Sequence, residues 1–469
     1  MNIWRKKDVT SVLDENEHST VTPTMSTFDL VLFGVGAIVG SGIMVLTGIA
    51  SAQAGPAVIF SFLIAGAACG LAGLCYAEMA STVPSSGSTY TYTYLAVGEL
   101  VAHCIGWVLV GGYVLTAATI ASGWSGYFSS LLSGFGIHIS KAWMSIPAAG
   151  GYGNYPAMFV VLLITWILSR GTSSSKFVDD ILVLIKIGII VLFIAVGAFY
   201  IHPIHWTAHF APTGFSGVMG AATTVFFTYL GFDAISTSAE DAKNPQKSLP
   251  AAIIITLIVC TLLYMVVCLV MTGVVSYTRL GHGDALAYVM RAIHQGLAAE
   301  IISLGAVIGL MAGILSFVYA SVRISNEMAI DGLLPMQLAK RNAKGVPVYF
   351  TWGVGILTAV LTAYLPLTQL ADLANVASIL AFTLVCYATI VFRKQYPELP
   401  RGFAMPAVPF LPILAIIIFI SLLWSIKPVT WLIFACWLAV GLVIYFAYSY
   451  RHSRLVVMDS EHWDDQKLS

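Results

Sequence analysis

The stretch FDLVLFGVGAIVGSGIMVLTG, residues 28–48, decides the fold. It is apolar and long enough to cross a bilayer, which takes about 20 residues, yet its middle holds three consecutive small residues, Gly40, Ser41 and Gly42. Small residues in sequence let a helix unwind, and hydrocarbon offers no partner for the N–H and C=O groups that this releases. The stretch therefore predicts a membrane helix that is broken at its centre, where a ligand can bond the freed groups.

Two other interpretations of these glycines compete with a ligand site. The spacing from Gly34 to Gly40 is GxGxxxG, and it lies in an apolar span, so it differs from the GxGxxG phosphate loop of a strand-to-helix turn. Gly36 and Gly40 have the GxxxG spacing of closely packed membrane helices, and this alternative stays open. A ligand carboxylate suits the freed N–H groups and an ammonium suits the carbonyls.

The composition places the whole chain in a membrane. Of its 469 residues, 58% are hydrophobic and 9% are charged, against roughly 25% charged residues in soluble domains. The balance of 22 basic and 22 acidic residues excludes nucleic acid as a partner. Twelve charge-poor stretches are long enough to span, and we number them spans 1 to 12: 28–53, 56–81, 98–132, 156–170, 178–200, 214–238, 250–275, 300–328, 348–366, 370–393, 407–425 and 429–450.

The basic residues indicate the orientation in the membrane. Seventeen of the 22 lysines and arginines fall in the termini and in the loops on one side, which the positive-inside rule assigns to the cytoplasm. We expect a multi-pass protein of the cell membrane with cytoplasmic tails at 1–27 and 451–469 around a twelve-helix domain at 28–450. Two loops, 83–100 and the amphipathic 284–296, are expected to be structured, as surface helices, lids or plain connectors.

Span 6 carries a second irregularity, in TVFFTYLGFDAISTSAEDAKNP at 224–245. Gly231 and Asp233 interrupt a segment that is otherwise able to cross the membrane. Interruptions at equivalent places five spans apart indicate inverted repeats with a binding site at the midplane. Asp233 either faces the substrate or caps the resumed helix, and we favour the cap because Asp233 follows closely on the glycine.

Lys186 lies within span 5, in DDILVLIKIGIIVLFIAVGAFYI at 179–201. A lysine in hydrocarbon costs at least ~2.5–3.5 kcal/mol on insertion scales, so we expect its side chain to face a polar interior. Snorkelling to the cytoplasmic surface is the alternative. Because the protonation of a buried lysine is sensitive to its neighbours, Lys186 is a candidate proton-coupling group.

Five motifs together resemble the amino acid-polyamine-organocation superfamily of permeases, and within it the bacterial members of the cationic amino acid transporter family. They are GVGAIVGSGI in span 1, CYAEMASTVPSSGSTYTY after span 2, the lysine of span 5, FFTYLGFDAISTSAEDAKNPQKSLP in span 6 and VRISNEMAIDGLLP at the end of span 8. The resemblance covers all twelve spans. It implies an all-α membrane protein of the leucine-transporter type, with inverted five-helix repeats at 28–200 and 214–393 and two peripheral helices at 407–450.

The resemblance also implies roles for individual residues at the two interruptions. The carbonyls of Ile38 and Val39 would accept from a substrate ammonium, and Ser41 and Gly42 would bind its carboxylate. Phe227 matches a gating aromatic. The implied substrate-binding residues are Ile38, Val39, Gly40, Ser41, Gly42, Phe227, Thr228, Leu230 and Gly231.

The resemblance bears on the driving force as well. Lys186 matches the lysine that replaces a sodium ion of sodium-coupled relatives, which favours a proton gradient as the driving force, with no metal and no cofactor. Gly112 in span 3 departs from the family, because many relatives carry an acidic residue there, and its presence favours exchange instead. Gly111 and Gly112 either widen the pocket or, as is the safer interpretation, allow close helix packing.

Together these features predict a secondary transporter, a permease that moves small, neutral L-amino acids by alternating access with proton-coupled uptake. An amino acid exchanger and a cationic amino acid carrier are the alternatives, although neither Asp233 nor Glu78 stands at the predicted pocket as a partner for a cationic side chain. A membrane enzyme or a channel is more distant. GHGD at 281–284 resembles a GxGD protease motif but falls in a polar loop without a YD partner, and no channel filter is evident.

Overall fold

The structure is a computed structural model in which the chain is helical at every predicted span. It describes residues 4–9, 25–40, 42–83, 88–171, 176–207, 209–238 and 242–456, and at 176–180 and 237 it describes the backbone alone. Ser41 lies outside the described residues.

The helices begin and end close to the predicted bounds. Spans 1 to 5 contain the helices Thr27–Ile38 and Thr47–Ala54, Val58–Thr82, Glu99–Gly134, Tyr155–Ser169 and Lys176–Gly197. Spans 6 to 10 contain Gly214–Phe226 and Ala234–Thr237, Pro245–Val274, Gly296–Ile330, Val348–Tyr364 and Leu367–Gln395. Spans 11 and 12 contain Phe410–Leu423 and Pro428–Ile444.

The lengths of these helices fit a membrane protein. Within the described residues, eight helical stretches are long and apolar enough to cross a bilayer, and the first, Thr27–Thr82, contains spans 1 and 2 together. Spans 4, 9 and 11 are shorter apolar helices. Span 3 has 36 helical residues. The chain is a multi-pass membrane protein, and a crossing by all twelve spans stays a prediction.

Spans that lie five apart in the sequence pack against each other. The most extensive helix contact joins span 3 to span 8, and spans 2 and 7 and spans 4 and 9 also form close pairs. Two repeats related by an axis in the membrane plane produce this pairing of equivalent helices. The contacts support inverted repeats at 28–200 and 214–393, although the repeat itself stays a prediction.

A second division cuts across these pairs. Spans 1, 2, 6 and 7 pack into one group, and spans 3, 4, 8 and 9 pack into another. Span 5 contacts both span 1 and span 8, and span 10 contacts both span 2 and span 3. The two interrupted spans therefore belong to one group and meet the other group in the middle of the protein.

Both loops that the sequence predicts to be structured contain a helix. Ser88–Ala96 is buried along its whole length, and residues 4–9 lie across it, with Lys6 Nζ donating to the carbonyl of Ala96 at 2.7 Å. Ala285–Ala292 buries Leu286, Val289 and Met290 completely. Neither helix lies free on the membrane surface, because each packs its apolar face against the spans.

Candidate functional site

Span 1 is broken at its centre. Its first helix ends at Ile38, Val39 follows in an extended conformation with φ −72° and ψ 96°, and the chain resumes as a π-helical turn at Gly42–Leu46. Such a turn within a helix often marks a functional site. The break that the small residues predict in span 1 is confirmed.

Span 6 is broken at Gly231, by a different local conformation. Its helix tightens into a 3₁₀ turn at Phe227–Tyr229, Leu230 is extended, and a helical turn resumes at Ala234–Thr237. Gly231 has a φ of +113°, a conformation that residues with a Cβ rarely adopt. The predicted second break is confirmed, and it requires glycine.

The two breaks lie directly against each other. A Cβ added to Gly42 would overlap the Cα of Thr228, and a Cβ added to Gly231 would lie 3.0 Å from the carbonyl oxygen of Ala37. Glycine therefore lets the two backbones touch, because either Cβ would hold them apart. The groups that both breaks free converge at one point between spans 1 and 6.

Two tyrosine hydroxyls bond the carbonyls of the span 1 break. Tyr264 in span 7 lies 2.9 Å from the oxygen of Ile38 and 3.2 Å from that of Thr228, so one hydroxyl connects both breaks. Tyr127 in span 3 donates to the carbonyl of Met44 at 2.7 Å. Neither tyrosine is predicted from the sequence, because nothing there distinguishes them from tyrosines that only pack.

Lys186 reaches the same break from span 5. Its ammonium donates to the carbonyl of Gly36 at 3.0 Å, and the residue is 5% exposed. Gly309 in span 8 makes room for the side chain, since a Cβ there would lie 2.9 Å from the Cγ of Lys186. The expectation of a polar interior partner is confirmed, and snorkelling to the surface is excluded.

Asp233 occupies the N-cap position of Ala234–Thr237 without making the cap's hydrogen bond. Its carboxylate faces the N–H groups of Gly231 and Ala234 and accepts from the hydroxyl of Tyr113, in span 3, at 3.1 Å. The preferred interpretation is confirmed for the N-cap position, although the side chain makes no cap hydrogen bond there. The side chain connects the span 6 break to span 3 instead.

Comparison with known proteins identifies the family. The model of a protein family described as "Amino acid permease" matches residues 25–448. The chain belongs to the amino acid permease family. It is 44% identical to the methylthioribose transporter of Bacillus subtilis, over 97% of this chain and 99% of that protein. It is 43% identical to the branched-chain amino acid permease BcaP of the same organism, over the same shares. A vacuolar cationic amino acid transporter of Arabidopsis thaliana is 33% identical, over 85% of this chain and 68% of that protein.

The permease is a transporter rather than an enzyme, as its relatives' names state. Its predicted substrate-binding residues lie together where the breaks meet, apart from Ser41, which lies outside the described residues. Gly40 differs from the rest, because a Cβ added there would meet no described atom within 4 Å beyond its neighbours in the chain. Buried side chains surround this point: Ile38, Val39, Phe227, Thr228 and Leu230.

The glycine pair in span 3 of the permease serves packing. A Cβ on Gly112 would lie 2.9 Å from the Cβ of Ala377 in span 10, and one on Gly111 would lie 2.5 Å from the Nε1 of Trp437 in span 12. Close helix packing, the safer interpretation, is confirmed.

A cavity of about 520 Å³ leads towards the breaks from the face that the positive-inside rule assigns to the exterior. The second half of span 1 and the first half of span 6 line it, together with span 10 and the loop before span 12. Asp372 and Lys427 supply its charges. Hydroxyl groups dominate the remaining polar lining: Thr213, Ser216, Thr223, Thr224, Thr368 and Ser425.

Proposed function

We propose that this permease carries small, neutral L-amino acids by alternating access, with the substrate's main-chain groups bound where the two breaks meet. The direct contact between the breaks carries this proposal, because it brings the freed groups of two half-helices to one point. The ammonium binds the carbonyls of Ile38 and Val39, and the carboxylate binds Ser41 and Gly42. Tyr264 uses one lone pair of the Ile38 carbonyl, and the second lone pair serves the ammonium.

The side chain of the substrate is apolar in this proposal. Phe227 and Leu230, both buried, supply apolar walls, with Phe227 as the gate. The two nearby acids already have partners. Asp233 accepts from Tyr113, and Glu78 pairs with Arg393 at 2.6 Å. Because both acids are already bonded within the protein, a cationic side chain is disfavoured, and the 43% identical branched-chain amino acid permease supports leucine, isoleucine or valine.

Proton coupling through Lys186 completes the proposal. Its ammonium bonds the carbonyl of Gly36 in the first half of span 1, so the loss of its proton removes a charge-assisted bond to the half-helix that carries the site. Protonation and the position of span 1 are thereby linked. The proton gradient of the cell membrane drives uptake, with both termini of the chain in the cytoplasm.

Uptake into proteoliposomes tests the function. We expect saturable uptake of labelled leucine that an inward proton gradient accelerates, with competition by isoleucine and valine and none by lysine or arginine. Unsaturable flux would contradict a carrier. Leucine uptake that needs internal amino acid and ignores the pH gradient would establish exchange, and competition by lysine would establish a cationic carrier.

The cavity on the outer face favours a second candidate substrate, a hydroxylated one. Its six hydroxyl-bearing residues suit a polyol better than an aliphatic side chain, and the 44% identical relative is a methylthioribose transporter. The same assay separates the two candidates. Methylthioribose that blocks leucine uptake competitively, and is itself taken up, would add it to the substrates. Methylthioribose without effect would limit the permease to amino acids.

A further inference from the structure

A second cavity, of about 760 Å³, lies on the face opposite to the outer cavity. It is enclosed by the ends of spans 4 and 8, the start of span 9 and the loop between spans 8 and 9. Three basic residues line it: Arg323 from span 8, and Arg341 and Lys344 from the loop. Among the lining residues that the structure describes, Glu327 is the only acid, which leaves a net charge of two positive.

Hydrogen bonds fix the loop that presents two of these cations to the end of span 4. The side-chain oxygen of Asn342 accepts from the backbone N–H groups of Lys344 and Val346, both at 3.0 Å. Its amide nitrogen donates to the carbonyl of Ser169, at the end of span 4, at 3.0 Å. Arg341 pairs with Pro347 across the base of the turn. The cations therefore lie on an ordered support rather than on a loose surface loop.

Among the described residues, none of the three cations forms an ion pair, whereas three other basic residues of the same face do. Within the described parts of the chain, the ion pairs of this face join Lys7 to Asp331, and Arg393 and Arg401 to Glu78. No ion pair between described residues involves the cations of the cavity. No described carboxylate pairs with them, so their charges are available to an anionic ligand.

The position of the cavity matches the level of lipid headgroups. Tyr319 lines it one helical turn before Arg323 and is 56% exposed. Trp166, on the neighbouring span 4, is 48% exposed and lies under the guanidinium of Arg170 at 5.3 Å. Exposed aromatic and basic residues together are typical of the interface between membrane and water. The cavity therefore opens where a lipid phosphate is available.

We propose that this cavity binds a phosphate group, supplied by an anionic phospholipid of the surrounding leaflet or by a soluble phosphate. Two guanidinium groups and an ammonium converge on it, and guanidinium bonds phosphate oxygens in pairs. Basic pockets between helices on the cytoplasmic side are suited to such headgroups. No described lining residue belongs to span 1 or span 6, so the phosphate site is separate from the proposed amino acid site.

Lipid retention tests the proposal on the full-length protein. Native mass spectrometry counts phosphatidylglycerol bound to protein released from nanodiscs of phosphatidylcholine with phosphatidylglycerol. The variant combines Arg323→Gln, Arg341→Gln and Lys344→Gln, and the control is Lys340→Gln, which removes an adjacent cation outside the cavity. Loss of one cation near an anionic lipid corresponds to about fivefold weaker binding. We expect the triple variant to lose phosphatidylglycerol that the wild type and the control retain.

A second arm identifies the source of the phosphate. Inorganic phosphate is added to the permease in nanodiscs of phosphatidylcholine alone, and the melting temperature is measured. A rise in the wild type and the control that the triple variant lacks establishes a soluble phosphate as a ligand. Equal lipid retention and equal response to phosphate in all three proteins would overturn the proposal. If the triple variant does not fold, Arg341→Gln with Lys344→Gln, both exposed on the loop, takes its place.

Discussion

The breaks in spans 1 and 6 interrupt two helices by different means. Span 1 breaks at consecutive small residues and resumes as the π-helical turn Gly42–Leu46. Span 6 breaks at a single glycine, Gly231, with a φ of +113°. The charges beside the two breaks are opposite. The ammonium of Lys186 bonds the carbonyl of Gly36 before the first break, and the carboxylate of Asp233 faces N–H groups at the second.

The difference follows from the backbone groups that each break leaves without helical partners. Gly36 lies in the last turn of Thr27–Ile38, where carbonyls lack partners and a cation is favoured. After Gly231 the freed groups are N–H donors, and an anion is favoured. The protein thus stabilises part of each break with a charge of its own, and in the proposed function the remaining groups bind a substrate that carries both charges.

The largest expected effect comes from separating the two breaks. Gly42→Ala places a Cβ on the Cα of Thr228, and overpacking of this kind costs about 1–3 kcal/mol. We expect leucine uptake to fall at least about tenfold and the melting temperature to drop. Gly40→Ala is the matched control, since its Cβ meets no described atom within 4 Å outside its neighbours. It keeps the melting temperature, and its KM rises because the methyl group enters open space at the site. Equal melting temperatures for both variants would contradict the contact.

Substitutions of Lys186 test whether its ammonium acts as a fixed charge at the span 1 break or gains and loses a proton during transport. We expect Lys186→Gln to lose accumulation driven by a pH gradient while it still exchanges leucine at equilibrium. Lys186→Arg keeps a donor for the carbonyl of Gly36 but does not lose its proton at accessible pH, so we expect the same loss of coupling. Normal gradient-driven uptake by the arginine variant would show that Lys186 acts only as a fixed charge.

The comparison also shows which features the sequence predicts. The glycine at Gly231 and the small-residue run of span 1 predict the breaks, because backbone freedom is a local property. The acceptor of a tyrosine hydroxyl depends on tertiary packing, so Tyr264 and Tyr127 were missed. The bond between Tyr113 and Asp233 was not predicted for the same reason. Gly36, considered for GxxxG packing between helices, does pack closely, with its Cα against a side chain of span 5.

A smaller effect is expected from the hydroxyl that connects the two breaks. Tyr264→Phe leaves the carbonyls of Ile38 and Thr228 without this donor, which costs about 1–3 kcal/mol for buried groups. We expect a loss of about tenfold in kcat/KM for leucine without loss of folding. Tyr387→Phe, at a tyrosine that is 47% exposed in span 10, is the control and leaves uptake unchanged. If Tyr264→Phe leaves kcat/KM for leucine unchanged, the two breaks are held together by glycine packing alone.

The smallest effect concerns the anion at the span 6 break. Tyr113→Phe removes the donor of a hydrogen bond of 3.1 Å, and Asp233→Asn removes the charge of its acceptor. A bond to a charged group contributes about 1.5–3 kcal/mol. Because this bond is long, we expect a smaller contribution of about 1 kcal/mol. Each single variant then loses about fivefold in leucine uptake, and the double variant loses little more. If the loss in the double variant equals the product of the two single losses, Tyr113 and Asp233 act independently, which would contradict the hydrogen bond between them. If Asp233 instead faces a cationic substrate, Asp233→Asn abolishes lysine uptake, whereas Tyr113→Phe leaves lysine uptake intact. The two breaks would then differ in what they bind as well as in how they form.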